Sequence, residues 1–129
     1  MKKLLVFVLV LSTVSLFTTS CKDDEESANP ADLIVGSWQF VGHVATECAD
    51  PADNESETCT TNCDITIFTK DTVTFEGDTP EPYSIDGNKI TFGTGSGAET
   101  YEFSITASTL IVTEKEPGDC KRVTTLKKV

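Results

Sequence analysis

The chain is poor in the residues that build most catalytic centres. It contains one histidine, His43, one arginine, Arg122, and one tryptophan, Trp38. No Gly-x-Ser-x-Gly elbow is present to hold a nucleophile, and the carboxylate pairs are those of any strongly acidic surface. The alternating glycines from Gly93 to Gly97 join two predicted strands, whereas a phosphate-binding loop opens a helix. We therefore predict that the protein is not an enzyme and uses no cofactor.

Positive charge is also scarce. Ten basic residues face twenty-one acidic ones, which gives a formal net charge of −11. Removal of a leader that carries Lys2 and Lys3 lowers the charge to −13. Such a surface repels phosphate backbones and anionic lipids, so we predict that the protein does not bind nucleic acid.

Metal sites have few candidate ligands. Cys59, Cys63 and His43 are the zinc candidates, but one histidine in an exported, oxidising setting argues against zinc. The segment with Asp50, Asp53, Asn54, Glu55 and Glu57 lacks the spacing and the glycine of a calcium loop. We predict a solvated loop and no metal.

The first twenty residues have the pattern of a signal peptide. Met1-Lys2-Lys3 is basic, residues 4–17 are mostly apolar, and small residues precede Cys21. The apolar run is shorter than the ~20 residues that a bilayer-spanning helix requires. We predict export, with residues 1–20 removed.

Cys21 resembles the acylated cysteine of bacterial lipoproteins, although Thr18 stands where such signals usually have a larger aliphatic residue. The alternative is ordinary secretion with Cys21 free or disulfide-bonded. More than one acyl chain would anchor the protein stably in a membrane. Residues 21–32 then form a flexible acidic tether, which resembles the export signal of some surface lipoproteins and is equally well a spacer. The resemblance implies an outer-membrane lipoprotein, on either the periplasmic face or the cell surface.

Residues 33–129 alternate apolar and polar side chains with a period of two, which is typical of β-strands. On the first strand this pattern places Trp38, Phe40, Gly42 and Val44 on the apolar face, and it leaves His43 on the polar face as an ordinary surface residue. The segment 47–62 is predicted to be a loop. About eight short strands follow one another without room for crossover helices, so the sheet should be antiparallel. A closed barrel and a β-sandwich both fit this pattern.

A resemblance favours the barrel. Gly36-Ser37-Trp38 resembles the Gly-x-Trp signature on the first strand of lipocalins, and the wider layout is similar to that of bacterial lipoproteins with a lipocalin-like domain. The layout continues with Phe68-Thr69-Lys70-Asp71 and with a hairpin from Tyr83 to Asn88. The resemblance implies a small up-and-down barrel of about eight strands. It also implies that an arginine of the last strand, here Arg122, packs over Trp38 to close the barrel beside Gly36.

Four cysteines remain after Cys21, and they can pair in three ways. In an up-and-down barrel, Cys48 at the end of the first strand lies near Cys63 and Cys120. We favour Cys48–Cys59 with Cys63–Cys120, followed by Cys48–Cys120 with Cys59–Cys63.

Two functions remain open. In the first, which the resemblance implies, the barrel binds a small apolar ligand. Its lining would come from inward aromatic residues: Phe40, Phe75, Phe92, Tyr101 and Phe103. In the second, the barrel is filled and acts as a cell-surface protein-interaction or protease-inhibitor module. An internal void above roughly 300 Å³ would favour the first.

Overall fold

The part of the chain that the structure describes is an all-β domain preceded by one short α-helix. A computed structural model describes residues 28–115 and 118–129. The predicted signal peptide, Cys21 and the tether up to residue 27 lie outside the described residues. The helix is α1 (Pro30–Leu33) and the strands are β1 (Gly36–Thr46), β2 (Glu55–Thr58), β3 (Ile65–Phe68), β4 (Thr72–Thr74), β5 (Glu81–Asp86), β6 (Lys89–Phe92), β7 (Glu99–Ile105), β8 (Thr109–Lys115) and β9 (Lys121–Lys128).

Eight of the nine strands form a closed antiparallel barrel. Strands β3 to β9 pair in chain order, β1 pairs with β3, and β9 returns to pair with β1 from Trp38 to Thr46. This confirms the predicted up-and-down barrel and excludes the sandwich. The ninth strand, β2, pairs with the second half of β1 outside the ring. The prediction of a loop over 47–62 was therefore wrong in part, because four residues with no apolar side chain form an edge strand.

The hairpins at one end of the barrel are fixed by their turn residues. Gly87 has a φ of 59° in the turn that joins Asp86 to Lys89, as the Asp-Gly pair predicts. The β3–β4 turn is closed by the Thr69 hydroxyl, which accepts the N–H of Asp71 at 3.3 Å and of Thr72 at 3.0 Å. The positive φ of the glycine in one turn and the threonine hydroxyl in the other explain why both turns need only a few residues.

A β-bulge in β1 changes which side chains face inward. Phe40 lies opposite Leu126 and Gly42 lies opposite Thr125, so Val41 is an extra residue in β1. After the bulge, Ala45 is buried and Val44 is 47% exposed. The predicted continuous apolar face from Trp38 to Val44 was therefore wrong. His43 lies on the inner face, opposite Thr124, and not on the outer one.

The core fills one end of the barrel, here called the closed end. Its largest buried side chain is Trp38, which is 0% exposed and whose indole N–H donates to Ile34 O at 2.7 Å. Around it pack the other buried apolar residues, namely Ile34, Phe68, Val73, Ile90, Phe103, Leu110 and Leu126. Phe103 was predicted to line a ligand site. It lies within this core, so that prediction was wrong.

Lys128, and not Arg122, covers Trp38. Its ammonium lies 5.2 Å from the indole centroid and donates to Leu33 O at 2.8 Å. Arg122 lies opposite Ala45, at the other end of β9. The predicted role of Arg122 was therefore wrong in register, since Lys128 is the residue opposite Trp38. Gly36 has a φ of 133°, and a Cβ at this position would lie 3.0 Å from Lys128 Cε.

One disulfide joins cysteines that strand pairing brings together, and the other closes a loop. Cys48 follows β1 and Cys120 precedes β9, and the last pair of that ladder is Thr46 with Lys121. Cys59 bonds Cys63 within the loop between β2 and β3. The favoured pairing of Cys48 with Cys59 and Cys63 with Cys120 was wrong, because β2 carries Cys59 back along β1 and away from Cys48. The second predicted pairing is the one present.

Candidate ligand cavity

An open cavity of about 520 Å³ occupies the half of the barrel opposite the closed end. Its opening, here called the mouth, lies where β4, β6 and β8 end and where β3, β5, β7 and β9 begin. Leu110 and Leu126 form the floor of the cavity. Val112 and Thr124 are the next inward-facing pair on β8 and β9 toward the mouth. The volume falls within the range of small-molecule sites, and it exceeds the 300 Å³ expected for a ligand-binding barrel.

Aromatic side chains form the wall of the cavity. They are Phe40, Phe68, Phe75, Phe92 and Tyr101. Phe92 is the centre of this group, since its ring lies 5.6 Å from Phe75, 5.7 Å from Tyr101 and 6.4 Å from Phe68. Phe92 and Tyr101 are only partly buried, so their remaining surface faces the open space. An apolar ligand would complete this burial.

Carboxylates surround the mouth. Six acidic residues line the cavity together with the aromatic wall: Asp64, Glu76, Asp78, Glu81, Glu99 and Glu114. These six residues, here called the rim carboxylates, lie at the start of β3, between and at the ends of β4 and β5, at the start of β7 and near the end of β8. Among the described residues that line this cavity, none is a lysine, an arginine or a histidine.

Two of these carboxylates accept hydrogen bonds from uncharged groups. Glu76 accepts the backbone N–H of Ile65 at 2.9 Å, which ties the end of β4 to the start of β3. Glu99 accepts the hydroxyl of Tyr101 at 2.5 Å, which fixes the phenol at the mouth. Both contacts orient the mouth without neutralising a charge.

Beyond the mouth, four strands continue as a lip, formed by β2 and by the outer parts of β1, β8 and β9. On its inner face, His43 lies between Glu55 at 3.3 Å and Glu57 at 3.5 Å. Arg122 lies 3.7 Å from Glu55 and 3.8 Å from Glu114. Ala45 lies opposite both Glu55 and Arg122, so the pair of Arg122 and Glu55 spans β1. Arg122 and Glu114 lie opposite each other on the adjacent strands β9 and β8.

Gly42 lets the lip form. A Cβ at this position would lie 2.3 Å from Glu57 O, which is too close for any other residue without a shift of β2. Strand β1 also accepts a hydrogen bond at Val41 O, to which the N–H of Cys59 donates at 2.8 Å. Glycine is therefore required here by the close approach of two backbones.

The barrel wall is open on one side of the mouth. The β7–β8 ladder runs from Ile105 with Leu110 to Glu102 with Thr113. Beyond it, Glu99 to Tyr101 pair with β6 alone and Glu114 pairs with β9 alone. Glu99, Tyr101 and Glu114 line both the cavity and a smaller pocket of about 250 Å³ at this gap. The cavity is thus accessible from the mouth and from the side.

The predicted ligand-lining residues divide into two groups. Phe40, Phe75, Phe92 and Tyr101 line the cavity, and Phe103 is in the core beneath it. Sequence reasoning missed the rim carboxylates. The signal was there for Glu99 and Glu114, because each lies two residues from an inward side chain, Tyr101 and Val112 respectively.

The predicted zinc and calcium candidates are engaged otherwise. Cys59 and Cys63 form a disulfide, and Asp50 accepts the N–H of Ala52 in a short helical turn. Within residues 28–115 and 118–129, no group of three or more His, Cys, Asp or Glu is arranged to hold a metal ion. No helix in these ranges is long and apolar enough to cross a membrane.

No protein-family model, curated protein or solved structure matches the chain. The site is therefore interpreted from its own geometry.

Proposed function

We propose that the barrel binds a small molecule with an apolar body, without transforming it. The observation that carries this proposal is the cavity of about 520 Å³ above the core, with its aromatic wall. An eight-stranded barrel has room for its own side chains or for one small ligand. Here side chains fill the closed end and leave the other half open. This arrangement favours ligand binding over a filled interaction module.

The energetics support the same proposal. Burial of apolar surface contributes roughly 25 cal/mol per Å², and the half-buried rings of Phe92 and Tyr101 offer such surface. The ring contacts at 5.6 and 5.7 Å hold the wall in place before a ligand enters. A site formed in advance binds with a smaller entropic penalty.

We also propose that the protein is an exported lipoprotein held at a membrane through acylated Cys21. Two disulfides among the described residues support an oxidising compartment. Metabolic labelling with a radioactive fatty acid tests the anchor. We expect label in the wild-type protein and none in Cys21→Ser, and label that persists in the variant would contradict acylation at Cys21.

The binding proposal is tested by filling the cavity. Thr124 lines it, whereas Thr125 is the next residue on β9 and lies on the opposite face of the strand. We expect phenylnaphthylamine, an uncharged dye that fluoresces in apolar surroundings, to bind the wild-type protein and Thr125→Trp with similar affinity. Thr124→Trp should weaken binding at least about tenfold, which corresponds to the loss of one well-buried contact.

A second pair of variants guards against misfolding. Val112→Phe fills the cavity from β8, and Thr113→Phe places the same side chain on the outer face. Equal dye binding in both members of both pairs, with folded variants by circular dichroism, would contradict the cavity as the site.

A further inference from the structure

The cavity combines an apolar wall with a rim of a single charge sign. From this combination, we infer that the ligand is a small organic cation: an amine or a quaternary ammonium group attached to an apolar body. This inference rests on the proposed binding function and specifies its ligand class.

The vertical order of side chains fits such a ligand. Leu110, Val112 and Glu114 follow one another on the inner face of β8, from the floor to the rim. Glu114 lies four residues after Leu110, so at about 3.3 Å per residue the floor and the rim are about 13 Å apart along the strand. A ligand with its apolar body on the floor would therefore place its charged group among the carboxylates.

Of the six rim carboxylates, Glu114 has a cationic partner, because Arg122 lies 3.8 Å from it and also 3.7 Å from Glu55. The two lysines near the mouth pair with Glu47 instead, Lys115 at 2.8 Å and Lys121 at 3.9 Å. Within residues 28–115 and 118–129, no basic side chain lies within ion-pair distance of Asp64, Asp78 or Glu81. Their negative potential is left for a ligand.

The aromatic wall adds a second attraction for cations. The faces of Phe and Tyr rings are electronegative and attract an ammonium group within about 6 Å of the ring centroid. Tyr101 reinforces this effect, since its hydroxyl donates to Glu99 and its ring stands beside Phe92. Anionic amphiphiles such as fatty acids share the apolar body but meet like charge at the rim, so the site should reject them.

Three probes with one apolar body separate the charge effect from the cavity effect. Phenylbutylamine is cationic at neutral pH, phenylbutanol is uncharged, and phenylbutyrate is anionic. We expect the amine to bind about tenfold more tightly than the alcohol at low ionic strength, and the acid to bind most weakly. The preference for the amine should shrink as salt screens the rim. Isothermal titration calorimetry, with NMR titration for weak binders, measures all three affinities.

Two double variants test whether the rim carboxylates cause the preference for the amine. The double variant Asp78→Asn with Glu81→Gln removes two rim charges, whereas Asp86→Asn with Glu102→Gln removes two charges from the closed end and the outer face. We expect the rim variant to bind the amine at least about fivefold more weakly and the alcohol unchanged. The control variant should bind both probes as the wild-type protein does.

The outcomes distinguish the two proposals. Equal affinities for the amine and the alcohol, or an equal loss in both double variants, would overturn the inference about charge and leave the binding cavity intact. If none of the three probes binds, both the proposed binding function and the inference about charge are overturned. Tightest binding of phenylbutyrate would contradict the inference directly.

Discussion

At the closed end, Trp38 is fully buried and its indole N–H has a partner, whereas at the mouth Phe92 and Tyr101 stay half-buried around an open space. The closed end is covered by α1 and by the Lys128 side chain, which reaches Leu33 O. At the mouth, six carboxylates line the opening. Like charges across a small opening repel one another and resist collapse.

Under the proposed function, the two ends of the barrel serve different purposes. Stability comes from the end where buried apolar side chains fill the interior. The other end leaves apolar surface and charge unsatisfied, which costs stability and suits a ligand.

Replacement of Trp38 by alanine should cost about 5 kcal/mol of unfolding free energy, near the top of the range for a large buried aromatic residue. Phe75→Ala at the mouth should cost only about 1–2 kcal/mol, because its ring is partly exposed and leaves no closed void. Urea denaturation measures both. Equal losses would show that the two ends are packed alike.

The two disulfides should differ in their contribution. In the chain-entropy model, the Cys48–Cys120 bond, with a sequence separation of 72, stabilises by about 4 kcal/mol and the Cys59–Cys63 bond, with a separation of 4, by about 2 kcal/mol. The pairs Cys48→Ser with Cys120→Ser and Cys59→Ser with Cys63→Ser test this in guanidinium titrations. A larger loss from the short loop would contradict the entropic explanation.

Lys128→Met should destabilise the protein by about 1–2 kcal/mol, because it removes the contact over Trp38 and the hydrogen bond to Leu33 O. Arg122→Met at the opposite end should cost below about 1 kcal/mol, since its ion pairs are exposed. Thermal unfolding of both variants decides which residue closes the barrel. The reverse order would contradict the closing role of Lys128.

The smallest effect concerns pH. The hydrogen bond from Lys115, then its charge and that of Lys121, lower the pKa of Glu47 below the model-peptide value of 4.5. Glu47 therefore stabilises the fold above about pH 4.5, and this contribution is lost as pH falls through its lower folded-state pKa. The stability difference between the wild-type protein and Glu47→Gln should be present at neutral pH and vanish in acid. A difference that persists at the lowest pH would argue against this ion pair.

The fold was predictable because nearly every strand alternates apolar and polar residues, and because the turn at Asp86-Gly87 is specific. The strand β2 was not, since Glu55 to Thr58 has no apolar side chain and forms only because β1 offers a free edge beside Gly42.

The candidate site was predictable in its aromatic half. The period of two identifies the inward-facing side chains, among them Phe40, Phe75, Phe92 and Tyr101. It does not show how deep each side chain lies in the barrel, so Phe103 was assigned to the cavity although it lies in the core. The bulge at Val41 cannot be recognised from the sequence of one strand, because it depends on the pairing with β9. It places His43 on the inner face. Lys128 was missed because its role depends on register with Trp38, which only the closed ladder defines.

The most direct test of the difference between the two ends is a methyl NMR titration with phenylbutanol. We predict that the methyl signals of Leu110, Val112 and Leu126, around the cavity floor, shift on saturation, while those of Ile34 and Val73 at the closed end stay in place. Shifts confined to the exposed Val41 and Val44 on the outer face, or no shifts at all, would contradict a ligand cavity in this barrel.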